Sequence, residues 1–303
     1  MHENEKQWLT LDLLKATEGY FRSKHIDEPR LSAEVLLSCV LNTDRMDLYL
    51  NYNRPVYRDE IERFRSFCRE RVNGRPVQYI TGEQIFYGYR FAVDERVLIP
   101  RPETELMLEH AVERLTDREN VKTGKFSILD IGTGSGCVAV TLAHLLPEST
   151  LTAIDLSEGA LEVARNNADA HHVGEKIRFL CADAMSSGFT DRVGEKYDMI
   201  VSNPPYIPEK EWESLQPEVK NHEPKVALTT SDGYGIYHAI AERAPKLLVS
   251  GGILCFELHA DGAPKVTDIV RCGGFGDIEV HKDYSGADRV LSCVLTESAA
   301  EPL

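Results

Sequence analysis

Asp130-Ile131-Gly132-Thr133-Gly134-Ser135-Gly136 closes one apolar run, Phe126 to Ile131, and opens another, Cys137 to Leu146. The first run reads as a strand and the second as a helix. Glycines at alternate positions let the backbone approach a ligand where any Cβ would collide. The helix that follows offers free N–H groups at its N-terminus. Leu151 to Ile154 then repeats the strand pattern and ends at Asp155, spaced to accept from two ribose hydroxyls. A strand, a glycine turn, a helix and a second strand ending in an acid make a nucleoside site at the carboxyl edge of a parallel sheet.

The nucleoside is not marked as a dinucleotide. That fingerprint needs G-x-G-x-x-G, but position 137 is Cys and the third glycine comes one residue early. Asp130 stands at the strand end, where a carboxylate would repel a pyrophosphate. It would suit the amino group and sulfonium of S-adenosylmethionine, which the pattern favours over NAD. Asp183, after a third strand (Ile177 to Leu180), falls where the adenine should lie. Either its carboxylate takes the adenine N6 hydrogens or the Ala184 backbone N–H meets a ring nitrogen. A solvated turn Asp is the alternative.

Working outward, residues 126–296 alternate between strands and helices. Helices are expected at Glu158 to Ala170, Tyr234 to Leu248 and Val266 to Cys272. Further strands are expected at Tyr197 to Ser202 and Ile253 to Leu258, with two closing strands near Ile278 and Val290 to Leu295. Such alternation predicts a doubly wound, mostly parallel α/β sheet with helices on both faces. Residues 1–83 look helical and separate. Residues 84–99 read as a β-hairpin joint, Phe86 to Val93 against Arg96 to Ile99, turning at Asp94-Glu95. Residues 100–303 form the second domain, entered through Pro100-Arg101-Pro102 and an amphipathic helix. Arg54, Arg58, Arg63, Arg65, Arg69, Arg71 and Arg75 make a local basic stretch. It is either a solvated helix face with i,i+4 pairs or a docking face for negative charge.

At 303 residues, 42% hydrophobic and 27% charged, the composition is that of an ordinary globular protein. A formal net charge of −15 argues against non-specific nucleic-acid binding. No apolar run reaches the length of a membrane span, and the polar start lacks the apolar core of a signal peptide. Seven scattered cysteines with no C-x-x-C read as reduced thiols in the cytoplasm, and the histidines form no metal-binding cluster.

Asn203-Pro204-Pro205-Tyr206 ends the apolar run Tyr197 to Ser202. Neither proline can continue a ladder, and both fix φ. Each residue before a proline is pushed towards an extended conformation. The result is a stiff corner that presents an Asn oxygen, backbone carbonyls and a tyrosine ring to one small volume. Acceptors beside an aromatic face suit a planar, donor-rich group such as an NH2.

A methyl-donor site joined to an amide-shaped pocket resembles the class I methyltransferases that alkylate a planar nitrogen. The rest of the chain is similar to the HemK/PrmC family of peptide chain release factor glutamine N5-methyltransferases. Its markers run over nearly the whole length. They are Gly74-Arg75-Pro76-Val77-Gln78-Tyr79-Ile80-Thr81-Gly82, Phe86-Tyr87-Gly88, Leu98-Ile99-Pro100-Arg101-Pro102-Glu103-Thr104-Glu105, Glu223-Pro224, Asp232-Gly233 and Asp288-Arg289-Val290. The resemblance implies a Rossmann-like catalytic domain behind a helical, substrate-docking domain and a β-hairpin. It implies S-adenosylmethionine held by Gly132, Thr133, Gly134, Ser135, Gly136, Asp155, Asp183 or Ala184, and Asn203. It implies a substrate glutamine, in the Gly-Gly-Gln loop of class-1 release factors, held by Asn203, Pro204, Pro205 and Tyr206. Family members often carry an aromatic residue at the position of Ala184, so here only a backbone contact is implied.

An amide nitrogen is a poor nucleophile, so the protein's expected task is positioning for in-line attack. Asn203 and the Pro204 carbonyl would accept the two amide N–H bonds, with Tyr206 packed against the amide plane. Two rivals differ in class. A DNA or RNA amino-methyltransferase would need a basic recognition region. A nucleoside-sensing adaptor would bind cofactor without turnover.

Overall fold

The computed structural model describes residues 7–117, 124–194 and 196–297. They group into two compact units: residues up to Gly82 with Gln216–His222, and Glu83–Leu215 with the chain from Glu223 onward.

The first unit is helical. Thr10–Ser23, Pro29–Leu41, Arg45–Leu50, Arg58–Val72 and Val77–Thr81 are helices, and a two-residue ladder pairs Trp8–Leu9 with Pro55–Val56. Leu13, Leu14 and Phe21 meet Ala33, Leu36, Leu37, Val40, Phe64 and Cys68 in its core, at the i, i+3, i+4 spacing of amphipathic helices. The short helix Pro217–His222 belongs to this unit, although strand–helix alternation assigns it to 100–303. The reason is electrostatic. The Arg71 side chain is 7% exposed, and Glu218 Oε2 accepts from its Nη1 at 2.5 Å. A buried guanidinium without such a partner is costly. Much of the basic stretch is paired inside the unit: Arg54 with Glu60, Arg58 with Glu62, and Arg75 with Glu70. Arg63 lies over the Phe67 ring.

The second unit begins with a hairpin, Glu83–Phe86 against Tyr89–Ala92. Its turn falls at Tyr87-Gly88, not at Asp94-Glu95, and 96–99 is not a strand. Tyr87 and Gly88 both have positive φ, +52° and +78°, which a tight two-residue hairpin turn requires. Asp94 instead forms a local turn. Its carbonyl accepts from Val97 N–H, and its carboxylate accepts from the backbone and side chain of Arg96.

The central sheet has seven strands: β1 (Ser127–Ile131), β2 (Thr150–Asp155), β3 (Ile177–Cys181), β4 (Tyr197–Ser202), β5 (Leu248–Glu257), β6 (Phe275–Lys282) and β7 (Asp288–Leu295). Their order across the sheet is β3-β2-β1-β4-β5-β7-β6. The pairs among β1 to β5 are parallel, and β7 is antiparallel to both neighbours. Helices α1 (Pro102–Thr116), α2 (Cys137–Leu145), α3 (Glu158–Ala170), α4 (Gly235–Leu247) and α5 (Ala263–Cys272) cover it. Both faces are buried, which is why the strands read as near-continuous apolar runs. Ile128 and Leu129, adjacent in β1, enter opposite cores, as do Met199 and Ile200 in β4. Among the described residues no helix is long and apolar enough to cross a membrane.

Candidate active site

Register aligns four strand ends. Ile131 pairs with Ile154 and with Ser202, and Asp155 pairs with Cys181. The turns after β4, β1, β2 and β3 therefore leave the sheet side by side along one carboxyl edge. They carry Asn203, Gly132 to Gly136, Asp155 and Asp183.

The glycine loop is held from behind. The N–H groups of Gly132 and Thr133 both donate to the Ile154 carbonyl, at 2.8 and 2.9 Å, and Gly136 N–H donates to the Thr133 carbonyl at 2.8 Å. Gly136 has φ +79°, and a Cβ there would lie 3.0 Å from Ala164 Cβ on α3. A side chain at 136 would force α3 away from the loop. Thr133 and Ser135 are buried, so their side chains do not line the loop's open side. The Thr133 hydroxyl donates to Asp130 Oδ2 at 2.7 Å. Asp130, only 1% exposed, is enclosed rather than presented to a ligand; burial pushes its carboxyl up to about 7. Asp155 ties the second turn to the first, since its Oδ2 accepts from Gly134 N–H and its Oδ1 from Ser157 N–H, both at 2.9 Å. Burial raises the Asp155 carboxyl as well.

Two groups beyond β3 behave differently. Asp183 is exposed, and its Oδ1 accepts from Met185 N–H at 2.8 Å. Ala184 is buried against the core that holds Phe189 and Tyr237.

The Asn203 corner is connected to the interior. Asn203 Nδ2 donates to the Thr104 hydroxyl at 3.1 Å, and that hydroxyl donates to Glu257 Oε2 at 2.6 Å. The Tyr206 hydroxyl donates to Glu257 Oε1 at 3.3 Å, and the Tyr206 ring meets His259 edge-on. Glu257, 1% exposed at the end of β5, is pushed up to about 7 by burial, which the Thr104 hydroxyl and Arg289 oppose. Burial beside this carboxylate raises the Tyr206 phenol.

Further braces hold the corner. Ile207–Pro208 pairs in parallel with Thr229–Thr230. Gly233, at φ +82°, approaches so closely that a Cβ would sit 3.0 Å from the Tyr206 carbonyl. Asp232 Oδ1 accepts from Tyr234 and Gly235 N–H at the start of α4. Glu223, buried, takes a 2.5 Å bond from Arg101 Nη2 and a 3.3 Å bond from Ile99 N–H. Asn167 on α3 was not singled out by pattern. Its Nδ2 donates to the Ala92 and Ser135 carbonyls, and its Oδ1 accepts from Ala92 N–H. Thr104, Glu223 and Arg101 lie in motif segments but show no role until these contacts appear; an acid inside an apolar run, as at Glu257 between Phe256 and Leu258, is the one available signal, and nothing local marks Asn167. Among the described residues no group of three His, Cys, Asp or Glu side chains could hold a metal, and no disulfide joins the cysteines.

A seven-stranded sheet of this order, with a glycine turn and an acid at the ends of its first two strands, defines a class I methyltransferase fold. The family described as the PrmC N-terminal domain matches residues 12–82, and the methyltransferase small domain matches residues 104–218. A release factor glutamine methyltransferase of Chlorobaculum tepidum is 57% identical over 96% of this chain and 98% of its own length. One from Geobacter sulfurreducens is 38% identical over 96% and 98%. The chain belongs to the release factor glutamine methyltransferase family. A methyltransferase structure from Pyrococcus furiosus, 15% identical over 79% of this chain and all of its own, has a TM-score of 0.51 and shares the fold.

Proposed function

We propose that this protein transfers a methyl group from S-adenosylmethionine to the side-chain amide nitrogen of the glutamine in the Gly-Gly-Gln loop of class-1 peptide chain release factors, in the cytoplasm. The observation that carries the reading is the corner itself. Asn203 leaves β4 beside the glycine turn of β1, and its Nδ2 is already bonded to Thr104, which leaves Oδ1 for another donor.

The residues at the edge fit the cofactor. A Cβ at Gly134 would meet no atom within 4 Å, so that backbone borders open space. Asp155 retains acceptor capacity beyond its two backbone bonds. Gly132 to Gly136, Asp155, Asp183 or the Ala184 backbone, and Asn203 would hold S-adenosylmethionine. Bound there, it supplies an electrophilic methyl on a sulfonium and leaves as a neutral thioether.

The chain's own residues orient the nucleophile. Asn203 Oδ1 and the Pro204 carbonyl accept the two amide N–H bonds, which turns the nitrogen's π-face to the donor and favours the charge it develops. Pro205 fixes the corner, and Tyr206 packs against the amide plane. No side chain needs to act as a conventional base, because the proton can leave after transfer.

Intact-mass spectrometry of a release factor incubated with this protein and S-adenosylmethionine tests the reading. The control carries alanine in place of the Gly-Gly-Gln glutamine. A gain of one methyl on the wild type only supports it. No gain, with cofactor bound, overturns it in favour of another substrate or of an adaptor.

A further inference from the structure

We propose that Glu257 is a positioning residue for methyl transfer: through the Thr104 hydroxyl it decides which end of the Asn203 amide faces the substrate, and it holds the Tyr206 hydroxyl directly. This rests on the reading of Asn203 Oδ1 as an acceptor for the substrate amide.

The two ends of an Asn amide have nearly the same shape, and only their hydrogen-bond partners distinguish them. Presented the wrong way, Asn203 would offer an NH2 to the substrate's own NH2, and the two would repel. Thr104 is 3% exposed, and its hydroxyl carries one hydrogen. A carboxylate only accepts, so at 2.6 Å Glu257 Oε2 commits that hydrogen. Thr104 Oγ1 then has only lone pairs left for Asn203, and the group facing it at 3.1 Å has to be the Nδ2 donor. The charge on Glu257 therefore fixes Oδ1 outward. The same carboxylate takes the Tyr206 hydroxyl through Oε1, so both ends of the Asn203 to Tyr206 corner are tied to one group.

Protonated Glu257 would lose this control. A proton on Oε2 would point at Thr104, and the Thr104 hydrogen would lose its acceptor. The groups facing Glu257 are Thr104 and Glu103 from α1, Tyr206 from the corner, Arg289 from β7 and Cys137 at the start of α2; the Tyr237 hydroxyl of α4 donates to its backbone carbonyl at 2.7 Å. Arg289 favours the ionised form and Glu103 opposes it. Turnover should rise with pH as Glu257 ionises, with an acid limb centred near its value of about 7.

The test compares Thr104→Val, Thr104→Ser and Glu257→Gln with wild type on a class-1 release factor, from about pH 6 to about pH 9. Calorimetric cofactor binding and melting temperature accompany the kinetics. Thr104→Val and Glu257→Gln should lower kcat by about 100-fold with KM nearly unchanged, as misplacement of a reacting group does. Thr104→Ser, which keeps the hydroxyl, should recover most of that loss. Glu257→Gln should also lose the acid limb, which a merely structural side chain would leave in place. Adding Asn203→Ala to Thr104→Val should cost little more, because both act on one contact. Equal turnover for Thr104→Val and Thr104→Ser would overturn the proposal, as would an acid limb that survives in Glu257→Gln. If Glu257→Gln does not fold, the Thr104 pair decides alone. Full activity in Asn203→Ala would instead remove the acceptor reading beneath it.

Discussion

Arg101 Nη2 and Glu223 Oε1 lie 2.5 Å apart although 122 residues separate them in the chain. The Glu223 side chain is 2% exposed, and it accepts from this cation and from the Ile99 N–H. The pair joins two segments that read from sequence as unrelated markers. Arg101→Ala should lower unfolding free energy by about 2–3 kcal/mol, because it leaves a buried carboxylate unpaired. Adding Glu223→Gln should restore part of the loss in urea melts. Equal midpoints for Arg101→Ala and wild type would refute the pairing.

Gly233→Ala should separate geometry from cofactor binding. The new Cβ would press on the Tyr206 carbonyl at 3.0 Å and on Pro208 Cγ at 3.2 Å, at a φ that disfavours any side chain. Turnover should fall by about tenfold or more as the corner shifts. Calorimetry should find cofactor affinity unchanged; a parallel loss would mean that the corner and the glycine turn move together.

Asn167→Leu should destabilise the second unit by about 2–3 kcal/mol, since it strands an N–H and two carbonyls. Hydrogen exchange should show the loss first at Ala92, in the hairpin strand. Unchanged protection there would mean that the hairpin does not depend on α3.

Stability should also report on Glu257. Its folded value, about 7, lies above the unfolded value of about 4.5, so the folded state holds the proton more tightly. Stability is then greatest below about pH 4.5, falls as pH rises towards 7 and is level above, by about 3 kcal/mol for this group. Asp130 is shifted the same way, so the diagnostic quantity is the difference between two curves. Glu257→Gln should gain on wild type as pH rises from about 5 to about 7.5. A constant difference across that range would show that the ionisation of Glu257 is not coupled to folding.

The strands of the sheet are legible because both faces are covered, so Met199 to Val201 carry no polar interruption and β1 carries only Asp130 between Leu129 and Ile131. The hairpin turn is not legible in the sequence, because Asp94-Glu95 has the polarity of a turn whereas the left-handed backbone at Tyr87-Gly88 carries no such polar flag. On the catalytic edge, glycines and acids mark themselves by spacing. The residues behind them do so less: Thr104 sits in the first turn of α1 among glutamates, and Glu257 shows only as one acid between Phe256 and Leu258 at the end of β5. Their roles depend on partners 99 and 153 residues away, which no local pattern encodes.

Gln216–His222 belongs with the helical unit although the chain on either side belongs to the other. The polypeptide therefore passes between the units three times, not once. A recombination that replaced residues up to Gly82 alone would bring in a new helical bundle and leave Glu218 behind, without Arg71. Inheritance has to keep two distant pieces of the gene matched, so the helical unit is not a cassette that can be exchanged at a single junction.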